Sequence, residues 1–214
     1  MIELVVNEIF HSIQGESSHA GRPCVFIRLS ACNLRCTWCD TAYAFTGGES
    51  MALDRILASV ASYRCDLVEV TGGEPLLQSG CHDLLTALCD AGYQVLLETG
   101  GSLDISAVDA RVHRIVDVKC PGSGMADRNR WSNLAVLTPR DEVKFVLADR
   151  ADFDWAVEID RRYGMSSRCS VLFAPVFGVL SPTDLAAWIL DTGIRARLQV
   201  QLHKYLWDPQ RRGV

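Results

Sequence analysis

The sequence has no run of eighteen apolar residues, no low-complexity tract, no internal repeat and no long linker. The first absence argues against a membrane-spanning helix, the others against solenoids and tethered modules. Basic clusters are scarce too. Arg211-Arg212 is the one concentrated pair and the formal net charge is −5, so direct nucleic-acid binding, which needs a basic face to meet phosphates, is not expected. Met1 to Glu8 carries acids rather than a basic leader, and the expectation is a cytoplasmic protein. Cysteine, by contrast, is plentiful. The nine cysteines are odd in number, and without a secretory signal they are expected as metal ligands or buried thiols rather than disulfides. With 214 residues, 49% of them apolar, the chain can bury one sizeable core. We expect a single domain over 1–214, with an N-terminal segment 1–23 and a C-terminal tail 204–214 packed on it.

Apolar, β-branched runs at 25–29, 67–70, 94–97, 114–118, 143–147, 171–173 and 198–202 predict buried strands. Helical stretches fall between many of them, at 52–63, 82–91, 153–163 and 183–190. The last is the best signalled: Ser181 is an N-cap, Pro182 occupies the first helical position and Gly193 lies just past the end. Strands alternating with helices imply right-handed βαβ units and an α/β fold, a partial (βα)6 barrel with a mostly parallel sheet. In such folds function collects in the loops at the C-terminal ends of strands.

Three such loops stand out. Cys32, Cys36 and Cys39 form a C-x3-C-x2-C cluster after the first predicted strand. Three thiolates on a four-iron cluster leave one iron without a protein ligand. A structural zinc site completed by a distant histidine or cysteine stays open, although no second C-x2-C pair exists to build it. The next strands run into Thr71-Gly72-Gly73-Glu74-Pro75 and Glu98-Thr99-Gly100-Gly101, and paired glycines permit close backbone approach to a ligand. The segment 122–133 reads as the loosest region, a mobile loop near the site. Cys24, Cys65, Cys81, Cys89, Cys120 and Cys169 are expected as free thiols, with Cys120 the one alternative fourth ligand.

In its C-x3-C-x2-C loop and Gly72-Gly73-Glu74-Pro75, in that order, the chain resembles the radical S-adenosylmethionine superfamily. Glu8-Ile9-Phe10, Ser12 to Glu16, Gly21-Arg22-Pro23, Arg28 and Cys39-Asp40-Thr41 narrow the resemblance to the 7-carboxy-7-deazaguanine synthase family. It runs from about Glu8 to Lys204. The resemblance implies a [4Fe-4S] cluster on Cys32, Cys36 and Cys39, with S-adenosylmethionine on the open iron. It implies reductive cleavage to a 5'-deoxyadenosyl radical and hydrogen abstraction from C6 of 6-carboxy-5,6,7,8-tetrahydropterin. Ring contraction with loss of ammonia then gives 7-carboxy-7-deazaguanine, a precursor of queuosine and related 7-deazapurines. Residue by residue, it implies S-adenosylmethionine contacts at Trp38, Cys39, Asp40, Gly73 and Glu74, and on later strand ends at Asp117, Lys119, Ala174, Pro175, Val176 and Phe177. Thr41 matches a ligand of Mg2+, and Ile13, Gln14, Gly15, Arg28 and Thr71 match substrate contacts. His203, at a late strand end, is a further candidate for substrate contact. The implied partners are a homodimer mate and an electron donor such as flavodoxin or ferredoxin.

Two rival functions are weighed against this. A glycyl-radical activating enzyme shares the cysteine motif but needs a groove for a protein loop. A non-catalytic iron-sulfur electron-transfer or zinc protein leaves the glycine-rich strand ends without a role. In some family members the chain ends near the substrate; here Trp207 to Val214 extends past His203-Lys204, and no terminal contact is expected.

Overall fold

The computed structural model describes residues 2–214. In chain order the strands are β1 (Glu3–Ile13), β2 (Pro23–Leu29), β3 (Glu49–Ala52), β4 (Leu67–Gly72), β5 (Gln94–Thr99), β6 (His113–Asp117), β7 (Glu142–Leu147), β8 (Ser170–Pro175) and β9 (Ala196–Leu198). The helices are α1 (Leu53–Ala61), α2 (Cys81–Asp90), α3 (Arg150–Tyr163), α4 (Pro182–Thr192) and the single turn α5 (His203–Leu206). One sheet holds all nine strands in the order β3-β1-β2-β4-β5-β6-β7-β8-β9. Pairing is parallel from β2 to β9 and antiparallel for β1 with β2 and β3. The sheet does not close, as its two end strands β3 and β9 do not pair with each other. Among the described residues no helix is long and apolar enough to cross a membrane.

Strand periodicity sorts the residues into two faces. Val25, Ile27, Leu29, Val68, Val70, Val95, Leu97, Val143, Phe145, Val171 and Phe173 belong to the main core with the apolar sides of α1 to α4. The alternate positions line the concave face in layers. Cys24, Phe26, Leu67, Leu96 and Ile115 form a small apolar plug. One step further along the same four strands come Arg28, Glu69, Glu98 and Asp117, joined by Lys144 from β7, all bordering a cavity. The fold thus builds an apolar floor and sets an ionic ring on it.

The helices end where their capping residues dictate. Asp149 accepts from the Asp152 N–H at the start of α3, and Ser181 from Thr183 at the start of α4. Gly164 and Gly193 close them in the left-handed region, at φ 61° and 62°.

Four expectations are corrected. Within the expected N-terminal segment 1–23, residues 3–13 do more than pack on the core, because β1 is a full sheet member between β3 and β2. The strand expected at 198–202 ends at Leu198, since beyond it Gln199 N–H bonds Phe173 O while Leu202 N–H turns to Gly15 O. His203 consequently opens α5 instead of ending a strand. The stretch 122–133 is tied down. Gly122 N–H bonds Asp152, Thr37 N–H bonds Ser123 O, Asn129 spans Lys119 N and O, and buried Asn133 donates to Gly101 O and Leu103 O.

Candidate active site

The cysteine loop leaves β2 through Ala31, whose φ of 77° starts the reversal, and Cys39 N–H closes a turn on Cys36 O at 3.2 Å. Its seat is the Gly72-Gly73 strand end. A Cβ on Gly73 would lie 2.2 Å from Ala31 O and 2.7 Å from Cys32 Cβ, and Gly72 adopts φ 154° against Leu29. Only glycine allows that approach. Gly73→Ala is expected to displace the cysteine loop, costing about 1–3 kcal/mol by overpacking and at least tenfold in iron retained after reconstitution. Urea unfolding and iron counting on the purified variant check both.

Cys32, Cys36 and Cys39 all border one cavity of about 730 Å³. Burial pushes each thiol up, each cysteine's charge opposes its neighbour's, and the Lys119 ammonium acts in the opposite sense on all three. Leu34 N–H points at Cys32 Sγ at 3.4 Å, a donor suited to a thiolate. Among the described residues no three Cys, His, Asp or Glu side chains converge as a single ion requires. Three thiols around a shared space suit a polynuclear cluster, which spans more room than one zinc ion. Asp117 Oδ1 is buried with no partner in the protein while Oδ2 takes Lys119 Nζ at 2.8 Å, leaving an acceptor for a ligand donor. These donors fit a cluster with a polar ligand beside it.

The other expected residues divide. Ile13, Gln14, Gly15, Arg28, Trp38, Asp40, Thr41, Thr71, Gly73, Asp117, Lys119, Val176 and Phe177 border the same cavity, as does His203. Ala174 and Pro175 do not; both are buried in β8. The Glu74 side chain is also absent from the wall. Its carboxylate is fully buried and accepts from Leu76 N–H, Thr99 Oγ1 and Gly100 N–H, so it braces the two glycine-rich strand ends against each other. Cys120 lies in the main core, away from the cavity.

Arg28 Nε donates to Glu8 Oε1 at 2.7 Å, and Tyr43 hydroxyl donates to the same oxygen at 2.8 Å. No protein bond uses either Nη of Arg28, so its outer fork is available to a carboxylate. Asp40 is held well below the usual carboxylate range: burial opposes this, but Lys204 Nζ at 2.7 Å, Gln201 and Thr41 outweigh it. Asp40 therefore latches the cysteine loop to the C-terminal segment.

Sequence reasoning missed a ring of buried ions. Lys144 Nζ binds Glu16 at 2.7 Å and also Glu98, with Asp117 at 3.9 Å. Burial works against the Lys144 charge, but Glu16, Glu98 and Asp117 prevail and hold its pKa well above the usual lysine value. The two carboxylates then part company. Burial pushes Glu98 up, whereas Glu16, equally buried, is drawn down by Lys144 and Gln201, with Gln199 a further donor at 3.1 Å. Lys144 is shared between the two, and Glu16 has the amides of Gln199 and Gln201 as well. The signal was present in Val68-Glu69-Val70 and Leu97-Glu98: an acid at an inward position of a buried strand.

Pro209 to Val214 border the cavity mouth, and the Arg212 guanidinium lies 4.0 Å over the Tyr43 ring.

The Radical SAM superfamily model matches residues 26–185. The 7-carboxy-7-deazaguanine synthase of Chlorobaculum tepidum is 50% identical over 99% of this chain and 97% of its own length. That of Koribacter versatilis is 45% identical over 98% and 99%. Among solved structures, QueE from Escherichia coli superposes with a TM-score of 0.77 at 22% identity, covering 94% of this chain and 95% of that one, which speaks to the fold. The chain therefore belongs to the 7-carboxy-7-deazaguanine synthase family of the radical S-adenosylmethionine superfamily, whose cofactors are a four-iron cluster and S-adenosylmethionine.

Proposed function

We propose that this chain converts 6-carboxy-5,6,7,8-tetrahydropterin into 7-carboxy-7-deazaguanine with loss of ammonia. The observation that carries the reading is the wall of one cavity: the three cysteines, the Gly73 backbone, the free fork of Arg28 and the amide of Gln14 all border it. Cys32, Cys36 and Cys39 hold the cluster, and Gly73, Trp38, Asp117 and Lys119 border S-adenosylmethionine. When bound, cluster and S-adenosylmethionine supply the electron and the hydrogen-abstracting group that start the reaction.

The chain's own residues orient the substrate. Arg28, anchored through Nε by Glu8, offers its Nη pair to the carboxylate, and Thr41 would offer its hydroxyl oxygen to a magnesium ion, a hard cation that suits oxygen donors. Gln14, Gly15 and Thr71 meet the heterocycle edge. His203 packs against Gly15 so tightly that a Cβ there would lie 2.2 Å from its Nδ1, and with Phe177 and the tail it keeps bulk water out. A second copy of the chain and an electron donor such as flavodoxin or ferredoxin complete the proposed assembly.

The test is an anaerobic incubation of reconstituted, reduced enzyme with S-adenosylmethionine, magnesium and the carboxytetrahydropterin, read by mass spectrometry. The expected product is 7-carboxy-7-deazaguanine, with at least a tenfold loss of kcat/KM when magnesium is chelated or Thr41 becomes valine. 5'-Deoxyadenosine without that product would overturn the substrate and favour a glycyl-radical activase.

A further inference from the structure

The ionic ring holds one acid that the arrangement leaves unaccounted for. Glu69 lies mid-strand in β4 and is 3% exposed, yet it borders the cavity. Its Oε2 accepts from Gln14 Nε2. Its Oε1 has no hydrogen bond in the protein, and among the described residues no lysine, arginine or histidine nitrogen comes within ion-pair distance of it.

The surroundings give it no route to a charge. From β1 and the loop after it come Gln14 and Glu16, from β5 Glu98, from β6 Asp117 and from β7 Lys144. Lys144 is committed to Glu16 and Glu98, and Arg28 on the flanking strand is committed to Glu8. Cys24, beside it on β2, is a buried thiol. An ionised Glu69 would be a buried charge facing two like charges with no cation of its own, a costly state in a low-dielectric interior. Burial and the charges of Glu98 and Glu16 accordingly push its carboxyl well above the usual range. The protonated form carries a hydroxyl with no acceptor in the protein and a cavity beside it.

We propose that Glu69 works as a neutral carboxylic acid whose free oxygen donates a hydrogen bond to an acceptor atom of the bound heterocycle, making it a substrate-binding, specificity-determining residue. This rests on the reading of the site as a pterin pocket. A 2-amino-4-oxopyrimidine ring offers acceptors at its carbonyl oxygen and at one ring nitrogen. Glu16 and Glu98, when ionised, are acceptor-only, so a donor among them discriminates between heterocycles that present a carbonyl and those that present an amine.

The experiment is anaerobic calorimetry of 6-carboxy-5,6,7,8-tetrahydropterin binding to cluster-loaded enzyme, from neutral to alkaline pH, for wild type, Glu69→Gln and Glu69→Ala. A carboxamide keeps a donor but cannot ionise. The wild-type affinity is expected to fall as pH rises. Glu69→Gln should bind within about threefold of wild type at neutral pH, without that fall, and Glu69→Ala about tenfold or more weaker, the worth of one well-made buried hydrogen bond. Infrared difference spectra of the cluster-free protein should show a protonated-carboxyl band in the wild type that both variants lack. Unchanged binding in Glu69→Ala, a Glu69→Gln variant with the wild-type pH dependence, or the absence of that band overturns the assignment of Glu69 alone. Absence of pterin binding in the wild type overturns the substrate reading and this inference together.

Discussion

Alanine at Cys36 is expected to abolish product formation and 5'-deoxyadenosine formation together, lowering both by at least a thousandfold, and to leave the fold intact. The structural half of this expectation follows from what Cys36 touches. Its side chain makes no protein hydrogen bond and stands half-exposed on the cavity wall, while the loop around it is held by backbone bonds from Cys39 to Cys36 O and from Thr37 to Ser123 O. Removing the sulfur therefore creates no core cavity and strands no buried polar group, and the unfolding free energy of the cluster-free protein should change by no more than about 0.5 kcal/mol, as for other substitutions outside the core. The chemical half follows from ligand count: two cysteines cannot hold a four-iron cluster with a single open iron. Iron and sulfide analysis after reconstitution, together with mass spectrometry of the quenched reaction, reads both. Retained 5'-deoxyadenosine formation in the variant would mean that another cysteine completes the site.

Methionine at Lys144 has the largest expected effect on stability. The ammonium is the one cation shared by Glu16 and Glu98, and both carboxylates lie in the ring above the apolar plug. Methionine fills much the same volume but leaves two acids facing each other, and removal of one partner from a buried ionic set costs about 3–5 kcal/mol. The sign of the pH dependence follows from Glu16. In the wild type its carboxyl sits below the ordinary 4.5, so its contribution is present above that value and fades as pH falls through its folded value. In the variant the cation is gone, burial dominates and the carboxyl moves above 4.5. The stability gap is therefore widest at neutral pH and closes as the solution is acidified and the acids take up protons. Urea unfolding at a series of pH values measures this. A gap that stays constant with pH would mean that Lys144 matters through packing and not through charge.

Motif residues were the most legible part of the site. The cysteine loop, both glycine-rich strand ends and the α4 caps follow from local chemistry: a thiolate spacing, a backbone too close for a Cβ, a serine before a proline. What depended on neighbours distant in sequence was harder. Glu74 sits in a cofactor-binding motif, yet its carboxylate is consumed by Thr99 and Gly100, some 25 residues away. Glu69 and Lys144 lay inside runs that read as apolar and Glu98 opened a strand end read for its glycines, and their shared layer emerges only when β4, β5 and β7 are placed side by side. β1 went unread because its exposed and half-buried positions outnumber its buried ones, so it lacks the continuous apolar run of the central strands. The alternation of Gln199-Val200-Gln201-Leu202 imitates a strand, but its glutamines are spent on Ser17, Glu16 and Asp40.

Those same glutamines have a consequence for biogenesis. Residues near position 200 bond residues near position 16, through Ser17 N–H to Gln199 and Leu202 N–H to Gly15 O. Such contacts join segments 182 residues apart in the sequence, at a high loop-closure cost. The βα units from β2 to β8 are built from contacts nearer in sequence, but the wall carrying Gly15, Glu16 and Asp40 is laced shut only when the segment from Gln199 to Leu202 has joined it. A folding chain that lacks this closure thus presents its cysteine loop on an open trough, where iron delivery has its widest access.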